Sequence, residues 1–284
     1  MEIFKTGKEL KKRLRVLRER KRKIGFVPTM GALHEGHLSL VCEAAKDNDI
    51  VVVSIFVNPT QFNNPDDLKK YPRNTKADLQ ILEKTVCDIV YLPEVKDIYP
   101  DKDSFKTQYR FGKIVDIMEG KHRPGHFDGV ALVVGRLFNI VEPHNAYFGQ
   151  KDFQQFILIK TLVKKYLSDL NINVHRCPII REEDGLAMSS RNVLLNKEQR
   201  KSAVLISKTL FDFKKNFSSY SVTELKEKIA LKINADKNLE LEYIEFVSDP
   251  DLDEISEWDE KQNMVACIAV QVGKIRLIDN VYLN

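Results

Sequence analysis

Cysteine is scarce in this sequence, and its copies lie far apart. The 284 residues contain four cysteines, and no two of them form a C-x-x-C pair. Such spacing argues against a disulfide framework or a zinc ribbon and favours a reducing compartment. The amino-terminal segment also lacks the apolar core of a secretory signal peptide. We therefore expect a cytoplasmic protein.

Long hydrophobic runs are absent as well. The longest, IVVVSIFV at 50–57, is far shorter than the roughly 20 apolar residues that cross a bilayer as a helix. We interpret this run as a buried strand and expect no membrane partner. The sequence also has neither G-x-G-x-x-G nor the Walker A pattern, which excludes the usual dinucleotide fingerprint and the P-loop.

The net charge is only +4, although the basic residues are unevenly placed. Residues 11–23, KKRLRVLRERKRK, include nine Lys and Arg side chains. Such a run is found in nucleic-acid and localisation signals, but it also occurs on solvated helix faces. Leu10, Leu14 and Leu17 keep a helical spacing among the charges and favour the second interpretation. We therefore expect no nucleic-acid partner.

The first half of the chain alternates between short apolar runs and amphipathic segments. The runs at 23–29, 49–57 and 87–93 are typical of strands, and the segments at 37–48 and 74–86 are typical of helices. Apolar strands separated by helices indicate parallel βαβ units. The pattern continues with a helix, a strand, a helix and a strand at 128–141, 145–149, 151–170 and 172–180.

The order of predicted helices and strands changes after about residue 180. Two helices and then two alternating strands follow, at about 197–216, 222–234, 239–247 and 263–278. Helices grouped apart from strands are typical of α+β structure. We therefore expect a doubly wound, parallel, Rossmann-like α/β domain over 1–179 and a second, smaller α+β domain over 180–284.

The stretch PTMGALHEGHLSL, residues 28–40, joins the first strand of this sheet to the following helix. Ligands of open α/β sheets bind beyond the carboxyl ends of the strands, and a helix amino terminus favours an anion. Gly31 and Gly36 allow the backbone to approach a ligand closely. His34 and His37 lack the H-E-x-x-H frame of a metal pair. We interpret them as donors to phosphate oxygens, and not as metal ligands or packed side chains.

The string HEGH resembles the HIGH signature of the nucleotidylyltransferase superfamily. The longer string at 28–40 resembles the pantothenate synthetase (pantoate–β-alanine ligase) family. Five further blocks match that family in order: SIFVNPTQF, YPR, RPGHFDGV, FGQKDFQQ and REEDGLAMSSRN. The resemblance implies ATP-dependent condensation of (R)-pantoate with β-alanine to pantothenate, through pantoyl adenylate and with release of pyrophosphate and AMP. It places the chain in pantothenate and coenzyme A biosynthesis.

The resemblance also implies an architecture and a cofactor. Residues 1–179 would form the catalytic domain that binds ATP and pantoate, and residues 180–284 would form a carboxyl-terminal lid. Mg²⁺ would accompany ATP, without a protein metal site of its own, and the protein would be a homodimer. His37, His34 and Lys151 would be the catalytic residues.

Further site residues follow from the matching blocks. ATP would contact the loop after the first strand, the start of the helix after Gly149 and the MSSRN string, where Arg191 takes the place of the lysine in the KMSKS loop of class I synthetases. The full set is Met30, Gly31, Ala32, Leu33, His34, Glu35, Gly36, His37, Gly149, Gln150, Lys151, Asp152, Ile180, Met188, Ser189, Ser190 and Arg191. Pantoate and β-alanine would be bound by Gln61, Gln155 and Asn58.

Several interpretations stay open. Arg123 and His126 could line the substrate pocket, or they could form a polar loop that orders the next helix. Asp78 and Tyr71 are weaker candidates. Two other functions are also open: a nucleotidylyltransferase that stops at an adenylyl or cytidylyl product, and a nucleotide- or RNA-binding module without catalysis, which only the basic run at 11–23 favours.

Overall fold

The computed structural model describes residues 1–106, 109–259 and 261–284. The chain divides into two compact units. The first comprises Met1–Gly149 and Gln155–Cys177, and the second comprises Gln150–Gln154 and Pro178–Asn284. The main division thus falls two residues before the boundary expected at 179, and the short segment after Gly149 belongs to the second unit. The role of residues 180–284 as a lid stays a prediction.

Within the described residues, the first unit is built on six parallel strands. They are β1 (Glu2–Phe4), β2 (Ile24–Thr29), β3 (Ile50–Ile55), β4 (Ile89–Tyr91), β5 (Asn145–Gly149) and β6 (Asn173–Cys177), in the order β1-β4-β3-β2-β5-β6. From β2, the strands β3 and β4 follow on one side of the sheet, and β5 and β6 lie on the other side of β2. This confirms the doubly wound, Rossmann-like prediction, and β1 is an edge strand that the sequence analysis missed.

Helices connect these strands. They are α1 (Gly7–Glu19), α2 (Glu35–Asp47), α3 (Pro65–Lys70), α4 (Thr75–Leu82), α5 (Val95–Ile98), α6 (Met118–His122), α7 (His126–Val141) and α8 (Phe153–Tyr166). Helix α7 confirms the helical prediction for 128–141 despite its β-branched residues, and most of its side chains are buried. Leu40, Val41 and Ala44 of α2 pack in one core with Val51 and Val53 of β3.

Helix α1 carries most of the basic run. The Thr6 hydroxyl caps its amino terminus and accepts a first-turn N–H at 3.3 Å. Leu10, Leu14 and Leu17 are buried, and the basic side chains between them lie at the surface or half-buried. The prediction of a helix face is therefore confirmed for residues 11–19, and the last four residues of the run follow the helix.

In the part of the chain that the structure describes, no helix combines the length and the apolarity that a membrane crossing needs.

The second unit contains α9 (Lys197–Lys214) and α10 (Val222–Asn234), together with an antiparallel sheet. Its strands are β7 (Leu239–Ser248), β8 (Met264–Val272) and β9 (Ile275–Tyr282), paired in that order. The prediction of one strand over 263–278 is wrong, because the chain reverses at Gly273, whose φ is +60°. Buried side chains of both helices and the sheet form the core of this unit, among them Ile206, Leu225, Phe246 and Ile268.

Candidate active site

The loop after β2 is shaped by a carboxylate from another helix. Gly31 and Ala32 both have positive φ, +80° and +50°. The carboxylate of Asp78 in α4 accepts the N–H groups of Ala32 at 3.1 Å and Leu33 at 2.8 Å. A Cβ at Gly31 would lie 2.9 Å from the same carboxylate, so glycine is required there. Asp78 is only 3% exposed and therefore acts from inside the protein to hold the loop.

His34 and His37 together form a capping box at the amino terminus of α2. His34 is the N-cap, and its Nδ1 accepts the N–H of Gly36 at 3.2 Å. The Nδ1 of His37 accepts the N–H of His34 at 3.2 Å, and the ring centroids are 4.1 Å apart. A neutral imidazole that accepts at Nδ1 carries its proton on Nε2. Each ring therefore has an Nε2–H donor. A cationic ring would carry a proton on Nδ1 as well and could no longer accept the backbone N–H.

Four backbone N–H groups between Ala32 and Gly36 have acceptors within the protein. The N–H groups of Ala32 and Leu33 point to Asp78, and those of His34 and Gly36 point to the histidine rings. The side-chain donors of this loop that could serve an anion are the imidazole Nε2–H groups. Contact of residues 30–37 with ATP stays a prediction.

The turn after β3 holds Gln61 through Asn58. Asn58 is 1% exposed; its Nδ2 donates to Gln61 Oε1 and to the Gly129 carbonyl, both at 3.1 Å. Its Oδ1 accepts the Tyr99 hydroxyl at 2.8 Å and the Thr60 hydroxyl at 3.0 Å. Asn58 thus has internal partners on both amide atoms and holds the amide of Gln61, and its contact with a substrate stays a prediction.

Gln61 has a fixed side-chain orientation. Its Oε1 accepts from Asn58, and its Nε2 lies 2.9 Å from the sulfur of Met30, in the loop that carries the histidines. Gln61 is 7% exposed. The structure therefore brings two predicted groups together within the first unit, the Met30–His37 loop and the amide of Gln61. Gln155 is half-buried in the first turn of α8.

The hydrogen bonds of Arg123 and His126 link both residues to the turn that carries Gln61, and a contact of either residue with a substrate stays an open interpretation. His126 Nδ1 donates to the Gln61 carbonyl at 2.8 Å, and its Nε2 accepts from Arg123 at 3.1 Å. Arg123 in turn pairs with Glu119 at 3.4 Å. These residues order the turn that carries Gln61. Tyr71 is buried and packs its ring edge-on against Phe62, with the centroids 5.6 Å apart, so it belongs to the core of this region.

The remaining predicted ATP residues lie in the second unit, apart from Gly149, which ends β5. Gln150–Asp152 form one 3-10 turn, in which Lys151 is half-buried and Asp152 is exposed. Asn280 of β9 donates to the carbonyls of Gln150 and Lys151 at 2.9 and 3.0 Å. The backbone of this turn is therefore held from the sheet of its own unit.

The MSSRN segment is tied into a compact loop. The N–H of Met188 donates to the Ile180 carbonyl at 3.0 Å, and Ser189 Oγ accepts the N–H of Arg191 at 3.2 Å. At the base of the loop, Arg200 of α9 binds the carboxylates of Glu182 and Asp184. These bonds hold the loop against its own unit, so it is not a free flap within that unit.

Sequence reasoning missed two supports, Gly129 and Asn280, and gave no role to Asp78. Each contacts a predicted site residue or its turn from a distant part of the chain, and no local pattern marks Asp78 or Asn280. Gly129 could have been noticed, because it lies in the block RPGHFDGV. A Cβ at Gly129 would lie 2.2 Å from the Thr60 carbonyl oxygen, so only glycine allows α7 to approach this turn.

Comparison with known proteins gives one consistent result. A sequence model of the pantoate-beta-alanine ligase family matches residues 2–282. The pantothenate synthetase of Azobacteroides pseudotrichonymphae is 48% identical over 282 residues, covering 99% of both chains. That of Phocaeicola vulgatus is 47% identical over 281 residues, also covering 99% of both chains.

Solved structures agree with these relatives. A pantothenate synthetase from Thermus thermophilus is 37% identical, covers 100% of this chain and 99% of its own, and superposes with a TM-score of 0.90. The pantoate-beta-alanine ligase of Francisella tularensis, solved with beta-gamma ATP and beta-alanine, is 38% identical with a TM-score of 0.82, covering 100% of this chain and 98% of its own. The resemblance seen in the sequence is confirmed, and the chain belongs to the pantoate–β-alanine ligase family.

Proposed function

We propose that this chain joins (R)-pantoate to β-alanine in two steps that consume ATP. In the first step the pantoate carboxylate attacks the α-phosphorus, the bond to the β-phosphate oxygen breaks, and pantoyl adenylate and pyrophosphate form. In the second step the β-alanine amine attacks the activated carbonyl and loses a proton, the bond to AMP breaks, and pantothenate forms. Family membership supports the overall ligation with ATP, and the adenylate route is the finer part of the proposal.

The observation that carries the proposal is the histidine pair at the carboxyl end of β2. β2 and β5 are neighbours at the point where the sheet changes direction, the usual place for a nucleotide in such sheets. His34 and His37 would donate their Nε2–H groups to phosphate oxygens and to the charge that develops at phosphorus. A carboxylate nucleophile has no proton to lose, so this step needs charge stabilisation more than a proton donor.

Gln61 and Gln155 would hold the acid. A side-chain amide can donate to the pantoate carboxylate and accept from a pantoate hydroxyl. Gln61 is suited to this task because Asn58 fixes the direction of its amide. In the proposal Gln61 also contacts β-alanine, and Asn58 orients Gln61 and is the weaker candidate for a contact in the same pocket.

Lys151 would place a positive charge on the phosphates, and Asp152 would bind the ribose or an ATP-bound ion. Ser189, Ser190 and Arg191 would contact the triphosphate.

Magnesium would arrive with ATP, because phosphate oxygens are the hard ligands it prefers. Among the described residues there is no cluster of three or more His, Cys, Asp or Glu side chains that could hold an ion. We also propose a homodimer that works in the cytoplasm, and light scattering on the purified protein tests the dimer.

The decisive experiment is pyrophosphate exchange into ATP with magnesium present, with pantoate and β-alanine tested separately and together. The expected result is exchange that needs pantoate but not β-alanine, with AMP and pantothenate formed only when both acids are present. Exchange without pantoate would indicate a plain nucleotidylyltransferase. A complete lack of pantoate-dependent exchange would refute the proposal.

Variants at His34 separate its two tasks. Asparagine is a good N-cap and keeps an acceptor there, but it lacks the Nε2–H donor. We expect His34→Asn to keep the stability of α2 while pantoate-dependent exchange falls by roughly 100- to 1000-fold, the usual loss for a removed charge-stabilising donor. His34→Ala should lose both. Normal exchange in His34→Asn would remove this residue from the chemistry.

A further inference from the structure

Two consecutive buried polar residues lie on β9. Asp279 is 4% exposed and Asn280 is 2% exposed, although strand interiors are usually filled by apolar side chains. Because successive side chains of a strand point to opposite faces, the two residues serve different neighbours. Asp279 faces the base of the MSSRN loop, and Asn280 faces the turn that carries Lys151.

Both atoms of the Asn280 side-chain amide form hydrogen bonds. Its Nδ2 donates to the carbonyls of Gln150 and Lys151 at 2.9 and 3.0 Å, and its Oδ1 accepts Gln150 Nε2 at 3.2 Å. Both amide protons and the amide oxygen are therefore directed at one short stretch of chain. No other side chain type offers two donors and an acceptor of this size and shape.

Asp279 fixes the other side of the same strand. Its carboxylate forms a two-point pair with Arg181, at 2.7 and 2.9 Å, and also accepts the N–H of Asn280 at 2.7 Å. Arg181 donates a further bond to the Gly185 carbonyl at 3.1 Å. A buried two-point ion pair is rigid, so β9 has a defined position relative to the loop that carries the predicted triphosphate contacts.

We propose that Asn280 is a positioning residue for Lys151: it fixes the backbone from which the lysine reaches ATP. The inference rests on the proposed function, in which Lys151 contacts the phosphates. A lysine has a long, flexible stem and a point charge, so the place of its backbone decides how often the ammonium group meets a phosphate. Without Asn280, two carbonyls inside the unit lose their donor and the turn shifts.

The test is a double-mutant cycle in the full-length chain with four proteins: wild type, Asn280→Ala, Lys151→Ala and the double variant. The measurements are the dissociation constant for MgATP and the KM values of pantoate-dependent pyrophosphate exchange. We expect Asn280→Ala to weaken ATP binding on the order of tenfold to hundredfold, the scale of a 1 Å misplacement, while KM for pantoate changes little. In the Lys151→Ala background the same change should add almost nothing.

A control on the same strand separates positioning from general loss of stability. Tyr282→Phe removes the hydrogen bond from the Tyr282 hydroxyl to Asp249 and keeps the ring that packs edge-on against Phe153. It should lower the melting temperature without changing the affinity for ATP. An equal loss of ATP affinity in Tyr282→Phe would reduce Asn280 to a structural residue and overturn the inference.

The outcomes are distinguishable. If wild type shows no pantoate-dependent exchange, the proposed function fails. If wild type is active but Asn280→Ala costs the same factor with and without Lys151, the effects are additive and only the positioning role is overturned. If Lys151→Ala binds ATP as wild type does, Asn280 cannot act through it, and the inference fails as well.

Discussion

Replacing Gly129 by alanine tests how closely α7 must approach the turn that carries Gln61. The Gly129 carbonyl accepts the amide of Asn58 at 3.1 Å. A Cβ at this position would lie 2.2 Å from the Thr60 carbonyl oxygen and 2.7 Å from the Gln61 nitrogen. Ordinary contact begins at 3.4 Å, so the helix or the turn must move by roughly 1 Å to accept the methyl group.

Two energetic effects of this substitution oppose each other. Alanine is favoured over glycine in a helix by about 1 kcal/mol. Overpacking a filled site costs about 1–3 kcal/mol, so the net loss in the free energy of unfolding should be about 0–2 kcal/mol. The functional loss should be larger, because a 1 Å misplacement of a substrate-positioning group costs on the order of 100-fold. We therefore expect kcat/KM for pantoate to fall by about 100-fold.

The assay is pantoate-dependent pyrophosphate exchange at saturating ATP, with urea unfolding measured on the same samples. Gly135→Ala is the matched control in the same helix, since the atoms nearest its Cβ belong to the side chain of Tyr109, with the hydroxyl oxygen at 2.7 Å. It should change stability but not the kinetics with pantoate. Wild-type pantoate kinetics in Gly129→Ala, or an equal kinetic loss in both variants, would refute the reasoning.

Three further predictions concern other parts of the molecule. Asp78→Asn should raise KM for ATP by about tenfold or more, because each carboxylate oxygen accepts one loop N–H and an amide would place an NH2 donor at one of the two positions. Charge-assisted hydrogen bonds contribute about 1.5–3 kcal/mol; unchanged ATP kinetics would show that the loop keeps its shape without the carboxylate. Thiol titration of the native protein should find one fast-reacting cysteine, the exposed Cys42, since the other three are buried and burial raises the pKa of Cys87 to about 12; fast reaction of Cys42→Ser would contradict this. Nitrogen-15 NMR should find the Nε2–H tautomer at His34 and His37, and an Nδ1–H proton on either ring would disprove the mutual cap.

The long elements could be predicted from the sequence because local pattern and packing agree there. The run at 50–57 is apolar almost without interruption, and residues 51–56 are buried in the sheet or directly after it. The failure at 263–278 has a local cause. Apolar residues continue on both sides of Gly273, so the hydrophobic pattern does not show the hairpin. The signal in the sequence is the glycine itself, which takes a φ of +60° in the structure. β1 was missed because three residues are too few to show a period.

The site was predictable only where its residues are close in sequence. His34 and His37 lie in one loop, and their spacing and glycine neighbours are visible without a structure. Asp78 is 46 residues from the Ala32 N–H that it accepts, and Asn280 is 129 residues from Lys151. The role of a polar residue in a helix or strand cannot be predicted from the hydrophobic periodicity, because the topology of the sheet determines which distant residue it contacts.

The distance in sequence between Lys151 and Asn280 has a consequence for synthesis on the ribosome. The bonds that hold the Lys151 turn come from a strand made 129 residues later. At the usual pace of translation, about 5–20 residues per second, this interval is roughly 6–26 s. By its end the nascent chain already contains the histidine loop and every strand of the parallel sheet, while the lysine turn still lacks its support. The proposed binding of ATP at that turn would therefore begin only after β9 has been translated and has paired with β8.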